Sequence, residues 1–314
     1  MTTRAAMVLT AALLIANPAA FGGGLSNVAR ANENADNAAG VWRARDGRPL
    51  VIAHRGGAGL FPENTIAAMR GSAMLGVDVL DMDAQLSNDG VLVAFHDKTL
   101  NRTTNGSGEV GNFSYDELAM LNAAAHFRAP DGKQYPPQPI PRIKDILREL
   151  AAGDWLFVIE IKNRGDKGKI AAQKLAAIIK ELNLQKRVII GSFGGAPLDA
   201  FREALPGAAT SASQAEAAGI ILLGGFYAPP LVALQIPPSF AGLDLAAKSR
   251  MIEWQKRNYA VHYWTINDAA QMAQLITDGA DGIFSDYPDT LRKVLADAGH
   301  RPPAGMTTTP PAAP

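Results

Sequence analysis

The chain has 314 residues, 47% of them hydrophobic, which is enough for one large domain or two ordinary ones with a substantial core. Its 30 basic and 30 acidic residues balance, and this argues against a surface for nucleic acid or for an anionic membrane. The chain has 0 cysteines, which excludes both a disulfide scaffold and a cysteine-based metal site.

The first 31 residues have the composition of a secretory signal peptide. A single charge, Arg4, precedes an apolar run over residues 5–16, and Ala29-Arg30-Ala31 fits the small-residue pattern of a cleavage site. The run is shorter than the roughly 20 apolar residues of a spanning helix, so an uncleaved membrane anchor is the weaker alternative. We therefore predict a signal peptide over residues 1–31 and an exported protein, periplasmic or secreted, without a stable membrane anchor after cleavage.

Two further segments lack the periodicity of folded elements. Residues 32–47 are polar and rich in alanine, and we predict a linker there. Residues 301–314 are rich in proline and threonine, and we predict a disordered tail. The folded domain is therefore expected to cover residues 48–300.

Within this domain, short apolar runs alternate with helical patterns. In the clearest helix, over residues 170–182, apolar side chains recur at the spacing of one buried face. Alternating strands and helices favour parallel strands joined by helical crossovers, and about eight such strands in about 250 residues predict a (β/α)₈ TIM barrel. The competing fold is a doubly wound open sheet, which is disfavoured because no G-x-G-x-x-G motif follows the first strand.

The candidate strands outnumber the ring of such a barrel by one, so one of them is expected to be spurious or to lie outside the ring. They cover residues 50–54, 79–86, 91–96, 156–162, 188–193, 208–213, 241–245, 260–266 and 282–285.

The segment over residues 98–139, after the third candidate strand, interrupts the alternation. It contains Asn105-Gly106-Ser107-Gly108 and Tyr135-Pro136-Pro137, both rich in residues that form turns. A long connection in a compact domain is usually functional, so we predict an insertion over one face of the barrel.

Polar side chains interrupt the predicted strands at their C-terminal ends, where the active sites of such barrels form. Alone, each has a structural alternative, such as a hydrogen-bonded core histidine or a solvated ion pair, but together they predict one site. Residues two apart on a strand lie on the same side of it. The residues are His54 and Arg55 after the first strand, Asp81 and Asp83 on the second, His96 at the end of the third, and Glu160 and Lys162 on the fourth.

Three of these residues are acids on neighbouring strands, which are costly to bury without a compensating cation because like charges repel at low dielectric. One divalent metal ion removes this cost. Asp81, Asp83 and Glu160 offer the all-oxygen ligands that Ca²⁺ and Mg²⁺ prefer.

The remaining groups suit a phosphate ester. His54 and His96 lie outside the acidic set and are available as an acid and a base near neutral pH. Arg55 and Lys162 can balance the charge on the oxygens of a phosphodiester.

These motifs also resemble those of the glycerophosphodiester phosphodiesterases, in order, from about residue 50 to about residue 295. The resemblance is carried by His54-Arg55-Gly56, Pro62-Glu63-Asn64-Thr65, Asp81-Met82-Asp83, Ser87-Asn88-Asp89-Gly90, His96-Asp97, residues 100–106, Glu160-Ile161-Lys162, Ser192-Phe193, Trp264-Thr265-Ile266-Asn267 and residues 281–286.

The resemblance implies a barrel with an inserted segment after the third strand. It implies His54 and His96 as the acid/base pair, a metal held by the acids of the second strand and Glu160, and phosphate contacts from Arg55 and Lys162. The implied substrate is a small glycerophosphodiester, such as glycerophosphocholine or glycerophosphoethanolamine, hydrolysed to glycerol 3-phosphate and an alcohol.

Three positions in these motifs bear on the expected metal and substrate contacts. Where the family usually has Glu-x-Asp on the second strand, this chain has Asp81-Met82-Asp83, whose first carboxylate is shorter by one methylene. Glu63 can compensate as a further metal ligand, although an acid there also suits the start of a helix. Trp264 can stack on the glycerol or head group, or it can belong to the core.

For the chemistry, we expect His54 to act as the base and His96 as the acid. Two alternatives stay open: a lipid phosphodiesterase on the same barrel, of the phospholipase D or sphingomyelinase kind, and a non-catalytic phosphodiester- or glycan-binding protein.

Overall fold

The computed structural model describes residues 40–130, 132, 134–228 and 230–300. The predicted signal peptide, the predicted tail and residues 32–39 of the predicted linker lie outside these residues.

Eight parallel strands form a closed barrel, as predicted. The strands in chain order are β1 (Leu50–Ala53), β2 (Val79–Leu86), β3 (Leu92–Ala94), β4 (Leu156–Ile161), β5 (Val188–Gly191), β6 (Ala209–Ser211), β7 (Leu231–Ile236), β8 (Ser239–Phe240), β9 (Leu243–Asp244), β10 (Ala260–Tyr263) and β11 (Gly282–Ser285). The ring runs β1, β2, β4, β5, β6, β7, β10 and β11, and it closes because β1 pairs with β2 on one side and with β11 on the other.

Helices surround the ring and connect its strands. No helix among the described residues is long and apolar enough to cross a membrane. The helices are α1 (Ile66–Met74), α2 (Tyr115–Ala119), α3 (Ile143–Leu150), α4 (Gly165–Glu181), α5 (Gly195–Ala204), α6 (Gln214–Leu223), α7 (Lys248–Lys256), α8 (Ala269–Asp278) and α9 (Pro288–Asp297).

Two of the predicted strands differ from the structure. The third candidate is β3, which pairs antiparallel with the end of β2 and lies outside the ring. The candidate over residues 241–245 is wrong, because that segment belongs to the short antiparallel β8–β9 pair, and the ring strand at this place is β7. Both segments have strand-like patterns, because the apolar run of β7 lies between Pro230 and Pro237, and the shorter alternating pattern of 241–245 also suits a hairpin.

Side chains alternate along the ring strands between two apolar layers. Leu80 and Met82 of β2 point outward to the layer under the helices, whereas Val79 joins the cluster inside the barrel with Leu156 and Val158 of β4. Continuing this alternation, the inward positions that follow on β2 and β4 are polar. The lower part of the interior is therefore apolar, and the upper part carries charge.

Trp42 closes the lower end of the barrel. It is 1% exposed and packs in the interior cluster, and its carbonyl oxygen accepts a hydrogen bond from His262 Nε2 at 2.8 Å. Residues 40–47, which composition assigned to a linker, thus pack on the barrel, and the domain begins before residue 48.

The segment after β3 forms the predicted insertion and lies over the C-terminal end of β2. It has a small apolar cluster of its own, separate from the two clusters of the barrel. The buried members are Val93, Phe95, Leu100, Val110, Leu118, Ala123 and Ile140.

Candidate active site

The three predicted acids meet at the upper end of the barrel. Asp81 and Asp83 lie two residues apart on β2, and Glu160 of β4 stands directly beside Asp83 in the parallel register. Asp81 is 7% exposed and Asp83 is 4% exposed. The pairing of β2 with β4 therefore produces the acidic cluster that alternation along the strands predicts.

The charges of this cluster are poorly compensated. Burial raises the pKa of Asp81 to about 7, and repulsion from Asp83 and Glu160 adds to the effect against the opposing influence of His54. Burial also raises the pKa of Glu160, and repulsion from Asp83 adds to this effect against the charge and hydrogen bond of Lys162. Such a site favours a cation.

The turn after β1 brings Arg55 to this cluster. Residues His54–Gly56 form one turn of 3₁₀ helix in which Arg55 has a φ of 51°, and its backbone N–H donates to Asp81 Oδ2 at 2.9 Å. A Cβ at Gly56 would lie 2.8 Å from the Cβ of Ala68, so only glycine fits there. The strained backbone thus aims an N–H group and a guanidinium at the acids.

The Arg55 guanidinium lies between two carboxylates. Its Nη1 donates to Glu63 Oε1 at 3.1 Å, and its Nε lies 3.6 Å from Asp83 Oδ2. This Nε is buried without a hydrogen-bond partner. A donor in that state is available to an oxygen of a bound ligand.

Asn64, two residues before α1, holds Asp83 through two hydrogen bonds. Its Nδ2 donates to Asp83 Oδ2 at 2.8 Å, and its Oδ1 accepts from the Asp83 backbone N–H at 3.0 Å. Thr65 caps α1 instead, accepting from the backbone N–H of Ala68 at 3.1 Å. Asn64 therefore fixes the orientation of Asp83.

His54 is held by a carboxylate from the last barrel strand. Its Nδ1 lies 2.7 Å from Asp286 Oδ1, and Asn267 Nδ2 donates to Asp286 Oδ2 at 2.7 Å. Burial lowers the pKa of His54, but the hydrogen bond with Asp286 and the charge of Asp81 outweigh it, so the pKa is raised. With Nδ1 engaged by a carboxylate, Nε2 is the nitrogen left for a ligand.

His96 lies between β3 and the insertion, and the carboxylate beside it is shared with a guanidinium group. Its Nδ1 is 2.7 Å from Asp97 Oδ1, but Arg102 also binds Asp97, at 2.7 and 3.0 Å. The hydrogen bond with Arg102 lowers the pKa of Asp97 to about 2. Burial lowers the pKa of His96 more than Asp83 and Asp97 raise it.

Glu63 connects the insertion to the turn after β1. Arg102 donates to both of its oxygens, at 2.6 and 2.8 Å, in addition to the contact from Arg55. The carboxylate that the resemblance assigns to the metal is thus bound by two guanidinium groups.

Lys162 completes the cationic part of the site. Its Nζ lies 3.0 Å from Glu160 Oε1 and 3.6 Å from Asp83 Oδ1. Beside it opens a cavity of about 180 Å³ lined by Glu160, Ile161, Lys162, Arg164, Ser192 and Phe193.

Trp264 lies at the mouth of the barrel and packs against its interior. The ring is partly buried against the interior cluster and meets Phe193 edge to face, with centroids 6.2 Å apart. Both interpretations of Trp264 therefore agree with its position, since it packs on the core and borders the mouth.

Comparison with known proteins identifies the family. The model of the Glycerophosphoryl diester phosphodiesterase family matches residues 54–290. The chain belongs to this family. A glycerophosphodiester phosphodiesterase of Caldanaerobacter subterraneus subsp. tengcongensis is 33% identical over 254 residues, which cover 80% of this chain and 100% of that protein.

Solved structures of the same family share the barrel. The glycerophosphodiester phosphodiesterase of Agrobacterium tumefaciens matches with a TM-score of 0.64 and 27% identity, covering 77% of this chain and 98% of that one. An Oleispira antarctica phosphodiesterase in complex with the product sn-glycerol-3-phosphate matches with a TM-score of 0.65 and 26% identity, covering 79% and 97%.

The acidic cluster fits a divalent ion in its chemistry. Asp81, Asp83 and Glu160 are oxygen donors from two adjacent strands, and the raised pKa of Asp81 reflects a missing positive charge. Among the described residues, no three acidic or histidine side chains are arranged as a ready set of metal ligands. Asp83 and Glu160 instead make their contacts with Asn64 and Lys162, so ion binding requires these side chains to turn.

Residues in several of the glycerophosphodiester phosphodiesterase motifs hold the two histidines, and these contacts were not predicted from the sequence. Asp286 and Asn267 hold His54, and Asp97 and Arg102 hold His96. The signal for Asp286 was its place directly after the last ring strand, where barrel active sites form.

Proposed function

We propose that this member of the family hydrolyses glycerophosphodiesters to glycerol 3-phosphate and an alcohol, with one bound Ca²⁺ or Mg²⁺ ion. The main support is the position of Asp83, which has Arg55 on one side and Lys162 on the other, with Glu160 beside it. A phosphodiester placed there meets two cations at once. The Oleispira antarctica relative, which binds sn-glycerol-3-phosphate, supports the same substrate class.

Asp81, Asp83 and Glu160 would hold the ion, which when bound supplies positive charge that polarises the phosphoryl group. Arg55 donates to phosphoryl oxygens through the nitrogen that has no hydrogen-bond partner, and Lys162 adds charge from the opposite side. Together they stabilise the negative charge that develops as the ester bond breaks.

The two histidines transfer the protons. The anion beside His54 is Asp286, whose other oxygen is bound by the neutral Asn267, so it stabilises an imidazolium. The anion beside His96 shares its charge with Arg102, so it stabilises an imidazolium less than Asp286 does. We therefore assign the base to His96 and the acid to His54, the reverse of the order expected from the sequence.

A substrate with an activated leaving group tests this order, because p-nitrophenolate needs no proton to depart. His54→Ala is expected to lose most of its turnover on glycerophosphocholine and to regain it on glycerophospho-p-nitrophenol. His96→Ala is expected to stay slow on both substrates. Rescue of His96→Ala alone would instead support His54 as the base and His96 as the acid.

The function itself is tested by measuring glycerol 3-phosphate release from glycerophosphocholine, with Ca²⁺, with Mg²⁺ and with a chelator. Asp83→Asn is the control, since it removes a metal ligand and a contact to both cations. Faster turnover of intact phospholipid would favour the lipid phosphodiesterase. Substrate binding without product in either metal would favour the non-catalytic binding protein.

Export is part of the same proposal and is supported by the signal-peptide pattern of residues 1–31. Cell fractionation with N-terminal sequencing of the mature protein tests it. Cleavage after Ala31 is expected, and an intact N-terminus in the cytoplasmic fraction would contradict export.

A further inference from the structure

One cation that lines the cavity beside Lys162, Arg164, has no role in the proposed mechanism. Arg164 immediately precedes α4, is exposed to solvent and lines this cavity together with Lys162 and Phe193. No hydrogen bond or ion pair joins the side chain of Arg164 to any other described residue. Arg55, Arg102 and Lys162, by contrast, each contact a carboxylate.

The central site already provides two cations for a phosphodiester without Arg164, because Arg55 and Lys162 lie on either side of Asp83. A further cation at the edge of this site suits a further anion on the ligand.

Of the charged side chains that line the cavity, Glu160 and Lys162 pair with each other, whereas the side chain of Arg164 has no partner among the described residues. The Ser192 hydroxyl already donates to the carbonyl oxygen of Ile161 at 2.9 Å and accepts from the backbone N–H of Gly194 at 3.3 Å. Phe193 is 45% exposed and offers an apolar face. This combination suits a short carbon chain that ends in an anionic group.

We propose that Arg164 is a specificity-determining residue that favours glycerophosphodiesters whose head group carries a carboxylate or a second phosphate. The inference rests on the proposed function and concerns the alcohol part of the substrate. Head groups with only a positive charge, such as choline and ethanolamine, are repelled by the guanidinium.

Glycerophosphoserine and glycerophosphoethanolamine form the decisive pair of probes, because they differ only in one carboxylate. The wild-type protein is expected to have a higher kcat/KM for the serine ester. In Arg164→Gln the ratio of the two kcat/KM values is expected to fall about 1.5-fold to fivefold, mainly through KM, since an exposed ion pair contributes modestly. In Arg164→Glu the preference is expected to reverse.

Lys186→Gln is the matched control, because it removes one exposed positive charge from the segment before β5, away from the cavity. It is expected to leave the ratio unchanged, and 0.5 M salt, at a Debye length of about 4 Å, is expected to reduce the wild-type preference.

The outcomes separate this inference from the function on which it rests. An equal loss for both substrates in Arg164→Gln would place Arg164 on the common phosphate and overturn the inference. An unchanged ratio would overturn it as well, while glycerol 3-phosphate release continues to support the function. No release from either substrate would overturn both.

Discussion

The barrel wall supplies one histidine of the proposed acid/base pair, and the segment between β3 and the insertion supplies the other, but the two are held differently. His54 follows β1, which pairs with ring strands on both sides, and Asp286, which holds it, follows β11. His96 lies between β3 and the insertion, and Asp97 beside it depends on Arg102, whose side chain is 48% exposed. One half of the proposed acid/base pair is thus fixed by the scaffold, whereas the other depends on a residue of the insertion.

Because of this difference, the contact between the insertion and the turn after β1 matters for the site. Glu63 belongs to the turn region after β1 and binds Arg102 of the insertion. The insertion adds its own apolar cluster around Leu100 and Leu118. The distance between the two histidines therefore depends on how the insertion docks, whereas the arrangement of the acids depends on the barrel alone.

The largest expected effect comes from removing either histidine. His54→Ala and His96→Ala are each expected to lower kcat on glycerophosphocholine by about 10²–10⁴-fold, the usual contribution of a positioned acid or base. His126→Ala is the control, because His126 is a histidine of the insertion outside the acid/base pair. Near-normal turnover by either active-site variant would remove that histidine from the mechanism.

Replacing each of the two carboxylates that hold the histidines is expected to have a different effect on kcat. Asp286→Asn leaves an oxygen for His54 Nδ1 but removes the charge that raises its pKa, so kcat is expected to fall about 10–100-fold. An acid with a lowered pKa loses its proton earlier as pH rises, so the alkaline loss of kcat is expected to shift to lower pH.

Asp97→Asn is the matching change in the insertion and is expected to cost less, because Arg102 already offsets the charge of Asp97. The pH profiles of kcat for both variants measure the difference. Equal losses with no shift of the alkaline limb in Asp286→Asn would show that the two histidines are held alike.

The acidic cluster, which belongs to the barrel, could largely be predicted from the sequence. Alternation along β2 and β4 fixed which residues face inward, so Asp81, Asp83 and Glu160 could be grouped from their spacing alone. The strand prediction failed at β7, whose apolar run is bounded by prolines. Local patterns therefore identify candidate strands, but they do not decide which of two neighbouring candidates enters the ring.

The partners of the histidines could not be predicted in the same way. Asp286 is 232 positions from His54, and only the closure of the barrel between β11 and β1 brings them together. Asn64 has a φ of 57°, which turns its side chain away from the capping position and toward Asp83. Both contacts follow from tertiary geometry that the local sequence does not encode.

The acidic cluster is expected to destabilise the metal-free barrel. The pKa of Asp81 rises from 3.8 to about 7 on folding. The unfolded chain loses this proton first, so metal-free stability is expected to fall as pH rises from about 4 to about 7 and then to level off. The effect is on the order of a few kcal/mol.

Urea unfolding at pH 5 and pH 8 with a chelator measures this slope. Asp81→Asn is expected to flatten it and to be more stable than the wild type at pH 8, while losing the stabilisation by Ca²⁺ or Mg²⁺. Wild-type stability that rises over this range in the chelator would show that Asp81 is charged without a metal.

The smallest expected effect concerns the contact between Glu63 and Arg102. Glu63→Gln weakens the contact with Arg102, and because Arg102 is half exposed, the global free energy of unfolding is expected to change by less than about 1 kcal/mol. Hydrogen exchange is nevertheless expected to become faster over residues 98–139 and to stay unchanged in β2 and β4. Glu109→Gln, which removes an exposed ion pair with Lys98 inside the insertion, is expected to show neither change. Faster exchange in the barrel strands of Glu63→Gln would mean that the insertion and the barrel open as one unit, and the separation between the two regions would then be lost.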